Sequence, residues 1–176
     1  MRHIDLDAPC SHPLIREQWK QFRMPDVCGI VTGDGTVLVM DERYQHAGDG
    51  IRCHVRPLCE TSIESLCEFG MEFIEVDPCI RQSAIPGTGA RALCGEGGMG
   101  NEGFVAVVNE HGLVWAIFLT VSNPFYEVNI VGDCVEAMST HGVLWRFPIA
   151  RPWEIDLTYT IDWRSGCQSP DPSEQT

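Results

Sequence analysis

Basic residues are scarce in this chain. Twelve Lys and Arg stand against 25 Asp and Glu in 176 residues, a formal net charge of −13. A free-standing nucleic-acid binder needs a basic footprint for the phosphate backbone, so the charge argues strongly against that class. Long apolar runs are missing as well. No stretch approaches the roughly 18 residues that a membrane span requires. The opening Met1-Arg2-His3-Ile4-Asp5-Leu6-Asp7 has no apolar core of a secretory leader, and none precedes Cys10 as a lipidation signal would need. The expectation is a cytoplasmic protein with no membrane partner. No two of the nine cysteines are spaced Cys-x-x-Cys, so the usual zinc-ribbon and thioredoxin-like spacings are absent. An odd cysteine count without an export signal predicts reduced thiols rather than a disulfide framework. Cys53-His54 followed by Cys59 comes nearest to a metal cluster and reads more simply as ordinary small side chains. No metal or cofactor is expected. Gly-x-Ser-x-Gly, His-Glu-x-x-His and Rossmann fingerprints are also lacking, which lowers the odds of an enzyme.

What is present reads as one α+β domain over residues 1–164, followed by a disordered tail over 165–176. Ser11 as N-cap, Pro13 in the first turn and Leu14, Ile15, Trp19 and Phe22 at helical spacing predict an N-terminal helix. Val27–Thr32 and Thr36–Asp41 flank Gly33-Asp34-Gly35 and predict a hairpin. Residues 44–50 read as a polar loop and 51–55 as a further strand. Thr61-Ser62-Ile63-Glu64 fits a capping box for a second helix over 60–69, with Gly70 at its C-terminal end. A strand over 71–76 leads into a Gly-rich stretch, 78–102, read as a loop. Its glycines lack the Gly-Lys-Ser/Thr ending of a phosphate loop.

From Gly103 the pattern is nearly pure β. Runs at 104–108, 113–120, 126–130, 134–139, 143–149 and 154–163 are separated by short turns. The last alternates Ile155, Leu157, Tyr159, Ile161 and Trp163 with polar residues, as a half-buried antiparallel strand does. The links are too short for parallel crossovers. The predicted fold is an antiparallel meander of about six strands, with an N-terminal hairpin and two helices packed on one face. His111-Gly112-Leu113-Val114-Trp115 is echoed by His141-Gly142-Val143-Leu144-Trp145, two hairpins that each carry a tryptophan predicted to point inward.

Acidic spacing offers the one candidate surface. Glu60, Glu64, Glu68 and Glu72 recur every four residues, so on a helix they would be like-charged neighbours, each pair costing roughly 0.2–0.5 kcal/mol. Either this is a solvated face, with Glu64 as the capping partner, or it is a docking ridge for arginines and lysines of another protein. Asp41, Glu42 and Asp49 would extend the ridge if the 44–50 loop lies alongside. The even spread of acid through both halves of the chain allows the same pair of readings: solubility, or a field that speeds association with a basic partner.

The run Phe118-Leu119-Thr120-Val121-Ser122-Asn123-Pro124-Phe125, an alternating strand, Gly142-Val143-Leu144-Trp145-Arg146-Phe147-Pro148-Ile149 and Arg151-Pro152 resembles small bacterial immunity proteins. Those are encoded beside polymorphic toxins of contact-dependent or type VI secretion systems. The resemblance covers about residues 103–160. It implies a non-catalytic cytosolic protein, without cofactor, that binds one cognate toxin domain and blocks its active site or substrate entry. Many such toxins are basic, in keeping with the charge here. The alternative is a small enzyme or ligand-binding β domain that uses the Gly-rich segment 87–100 as a lid.

Overall fold

The computed structural model describes residues 3–47 and 50–160. The elements run in the order α1 (Pro13–Lys20), β1 (Arg23–Pro25), β2 (Gly29–Thr32), β3 (Thr36–Ala47), β4 (Gly50–Ser62), α2 (Ile63–Glu68), β5 (Phe73–Glu75), β6 (Asp77–Ala84), β7 (Arg91–Glu96), β8 (Gly103–Asn109), β9 (Gly112–Leu119), β10 (Phe125–Val131), β11 (Cys134–Ser139), β12 (Val143–Pro148) and β13 (Asp156–Tyr159). An antiparallel seven-stranded sheet has the order β4-β3-β2-β9-β8-β7-β6. A second antiparallel sheet has the order β10-β11-β12-β13, and β1 pairs with β5 alone. The fold is mostly antiparallel β, and richer in strand than the α+β expectation.

The six C-terminal strands all form, but they do not make one sheet. The break at Ser122-Asn123-Pro124, where Asn123 adopts φ +64°, sends β10–β13 onto the face of the large sheet. One apolar cluster fills the space between the two sheets, with Ile30, Val105, Val107, Trp115 and Ile117 facing Phe125, Val135, Trp145 and Phe147. Trp115 and Phe147 lie 6.4 Å apart, and Phe125 meets Trp145 edge-on at 5.7 Å. The opposite face of the large sheet is covered by α1, α2 and the β1–β5 pair. Val31, Val37, Phe104, Ala106 and Phe118 pack there with Ile15, Ile63 and Met24. Both helices are thus on one face, as expected. Strands β8 and β9 are covered on both faces, which is why their sequences run as unbroken apolar stretches rather than alternating. A bulge at Val114, the extra residue where Val107 pairs with Trp115 and Val108 with Leu113, turns both Val114 and Trp115 toward the intersheet core.

Several local expectations shift. His12, not Ser11, caps α1, its ring nitrogen accepting from the Ile15 N–H at 3.4 Å. Phe22 falls outside the helix and is exposed. The second helix is shorter than 60–69 and is capped by Ser62, with Gly70 at φ +84° ending it as expected. The polar loop at 44–50 is replaced by a long arm. β3 and β4 stay paired from Thr36↔Ser62 out to Ala47↔Gly50. Cross-strand hydrogen bonds satisfy the backbone of this polar sequence as well as water does, so polarity alone did not mark a loop. The loop expected over 78–102 contains β6 and β7. Small residues there (Ala92, Gly95) let the strands approach closely: a Cβ on Gly95 would come within 2.0 Å of the Asp77 carbonyl oxygen. Only Ile155, Leu157 and Tyr159 of the final alternating run fall among the described residues. They are half-buried against the intersheet core. Ile161, Trp163 and the tail over 165–176 lie outside those residues.

Candidate functional site

The turn between β2 and β3 is built by its own side chains. Thr32 donates its hydroxyl to Asp34 Oδ1 at 2.6 Å, and the Thr36 N–H donates to the same oxygen at 3.0 Å. Partial burial works against the charged form, but these donors outweigh it and hold the Asp34 carboxyl below its usual range. The N-terminal segment lies against this turn. It is pinned by the Ile4 N–H on the Ala150 carbonyl, the His12 N–H on the Gly33 carbonyl, and the Asn109 side-chain amide on the Leu6 and Ala8 carbonyls. Between segment and turn opens a groove of about 500 Å³. Its ionisable lining is His3, Asp5, Asp34 and Glu60, with Thr36 and Leu113 on its walls. Among the described residues, no lysine or arginine lines it.

Glu64 stands next to this groove. The His12 Nε2–H donates to Glu64 Oε1 at 2.6 Å, and the His12 ring packs over Gly35, where a Cβ would lie only 2.5 Å from Cδ2. That hydrogen bond holds the Glu64 carboxyl down to about 2. Because His12 accepts from Ile15 through its other nitrogen, the arrangement calls for the neutral tautomer protonated at Nε2. The same ring therefore caps α1 and positions a carboxylate on α2.

The acidic residues picked from sequence spacing separate in space. Glu60 sits in β4, opposite Leu38, and not on the helix. Glu64 lies in the first turn of the six-residue α2, Glu68 ends it, and Glu72 follows it. The four do not form a helical ridge, because α2 begins only at Ile63. Asp41 and Glu42 lie on β3, in the arm. Asp41 accepts from the Arg43 Nε at 2.7 Å and the Arg56 Nε at 3.2 Å, which holds its carboxyl below the usual range. Glu42 points the other way. Its Oε2 accepts from the N–H groups of Thr120 and Val121 at 3.0 and 3.1 Å, while Oε1 is buried without a partner. Burial raises its carboxyl despite those donors. Glu42 ties the arm to the end of β9 and is not available to a partner. Asp49 lies outside the described residues. Of the sequence candidates, only Glu60 lines the groove, while Glu64 is bonded to His12. Asp5, Asp34 and His12 were missed. The single signal for Asp34 was its place between two glycines at a hairpin turn, and nothing local marked the other two.

Alternation along β4 turns Cys53 into the protein and leaves its neighbour His54 on the opposite, exposed face, so Cys53-His54 cannot converge on one ion. The eight cysteines within the described residues are free thiols. The Gly-rich segment 87–100 is ordered into β7 and two turns. β7 pairs on both sides inside the large sheet, so residues 91–96 cannot swing as a lid. No helix among the described residues is long and apolar enough to cross a membrane.

Fold and site together define a two-sheet antiparallel β protein with helices on its outer face and an acidic groove at one end. No family model matches the chain, and neither curated proteins nor solved structures give a significant match.

Proposed function

We propose that this protein is a non-catalytic immunity protein, which binds a cognate toxin domain in the cytosol and neutralises it by covering its active site or substrate entry. The acidic groove carries the reading: Asp5, Asp34 and Glu60 line it, and no lysine or arginine among the described residues does, in a chain of net charge −13. A lysine- or arginine-bearing segment of the toxin would enter between the N-terminal segment and the β2–β3 turn. The general field speeds its approach and the groove sets its register. Asp34 is held charged by the turn itself, so it presents a fixed carboxylate and pays little ordering entropy on binding.

The test is co-expression with the secreted toxin encoded beside it, scored by growth and by binding kinetics. Asp5→Lys with Glu60→Lys should slow association and reduce protection, more at low salt than at high. Glu64→Lys also removes the contact from His12, so circular dichroism must first show an intact fold. If the double variant protects and associates as wild type does, the groove is not the docking site. If the wild type neither binds nor protects, the immunity reading fails.

A further inference from the structure

We propose a second binding site, for a phosphate group, on the outer face of the β3–β4 arm. Three of the chain's twelve basic residues, Arg43, Arg52 and Arg56, are on this arm, in a protein otherwise dominated by acid. The register pairs Asp41 with Arg56, Arg43 with His54, and Gln45 with Arg52. Alternation puts these three pairs in successive rows on one face, while Glu42, Tyr44 and Cys53 turn to the other. Asp41, Arg43, Gln45, His54 and Arg56 enclose a cleft of about 240 Å³.

Asp41 organises the cleft. Its side chain is only 13% exposed, and each of its two oxygens accepts from a different guanidinium, always through Nε. The Nη groups of Arg43 and Arg56 have no partner among the described residues. Both side chains are more than half exposed. Two guanidinium forks are therefore fixed at their bases with their tips open, beside the imidazole of His54 and the amide of Gln45. A carboxylate ligand presents two coplanar oxygens, which one fork satisfies. A phosphate presents three or more oxygens that are not coplanar, so it can meet forks from two strands at once. The Asp41–Arg43–Arg56 group carries one net positive charge to oppose it. This site lies farther along β3 and β4 than the Thr36 and Glu60 that line the acidic groove, shares no residue with it, and does not depend on the immunity reading.

The experiment is an NMR titration of the full chain with inorganic phosphate, following the arginine Nε–H and Gln45 amide signals, with acetate and sodium chloride at matched ionic strength. Phosphate should give saturable shifts at Arg43 and Arg56, and acetate and chloride should not. Arg43→Gln with Arg56→Gln should weaken phosphate binding about tenfold or more. Both positions are exposed, so the fold should persist, as the unchanged remainder of the spectrum would show. Asp41→Asn separates a built clamp from a merely positive patch. Charge alone would make the variant bind phosphate more tightly, whereas loss of the positioning carboxylate should make it bind more weakly. Equal shifts with acetate or chloride, retained affinity in the arginine double variant, or tighter binding by Asp41→Asn would each overturn the proposal.

Discussion

Trp115 and Trp145 occupy equivalent places in the two echoed hairpins, and both are fully buried. Their indole nitrogens differ. Trp115 Nε1–H donates to the Ile149 carbonyl at 3.0 Å, whereas Trp145 Nε1 is buried without a partner. Replacing each by Phe is therefore a controlled comparison. The smaller ring leaves a similar void at either site, costing on the order of 1 kcal/mol by the cavity scaling of core truncations. At position 115 the change also strips the Ile149 carbonyl of its donor, an added penalty of about 1–3 kcal/mol. At position 145 it removes a buried donor that has no acceptor, which returns a similar amount. Trp115→Phe should thus lose roughly 2–4 kcal/mol, whereas Trp145→Phe should range from neutral to a gain of about 2 kcal/mol. Urea unfolding followed by far-ultraviolet circular dichroism, with unchanged m-values, measures both. Should Trp145→Phe cost as much as Trp115→Phe, or more, the reasoning from the unpaired indole is wrong.

Glu42→Ala should destabilise by about 1–3 kcal/mol, since it abandons the Thr120 and Val121 N–H groups at the root of the arm. Burial raises the folded-state carboxyl of Glu42 above its ordinary 4.5. Its contribution is thus full below that value and is lost as pH rises through the higher folded one, and urea unfolding between pH 4 and 7 should show this decline weakened in Glu42→Gln. Under native conditions iodoacetamide should label the exposed Cys59 and Cys67 first. Cys28, Cys53 and Cys94, whose thiols burial pushes up to about 12, should label only on unfolding, as mass spectrometry would reveal. All nine cysteines should be alkylated in denaturant without reductant, and three or more stable disulfides would contradict the reduced state. Gly95→Ala should lower thermal stability markedly, because its Cβ meets backbone at 2.0 Å, while Gly89→Ala has open space and should stay within about 0.5 kcal/mol of wild type.

Much of the strand content was legible because a half-buried strand writes its period into a few adjacent residues. The six C-terminal strands, the Gly33-Asp34-Gly35 hairpin, the inward tryptophans and both helices were readable on that ground. The partition into two sheets was not. Whether β9 continues beside β10 or passes it to a second layer depends on the backbone turn at Asn123 and on apolar cover from strands far along the chain. β6 and β7 escaped because glycine and small residues there serve close strand approach, which looks locally like loop composition. The acidic residues show the same division. Four-residue spacing is a face only if a helix spans it, and the pairing of β4 with β3 holds Glu60 in a strand until α2 starts at Ile63. The sequence by itself determined the net charge and the supply of carboxylates. The tertiary structure decided which of them share a surface, since Asp5, Asp34 and Glu60 meet only when the N-terminal segment, the β2–β3 turn and the end of β4 are brought together by the two cores on either side of the large sheet.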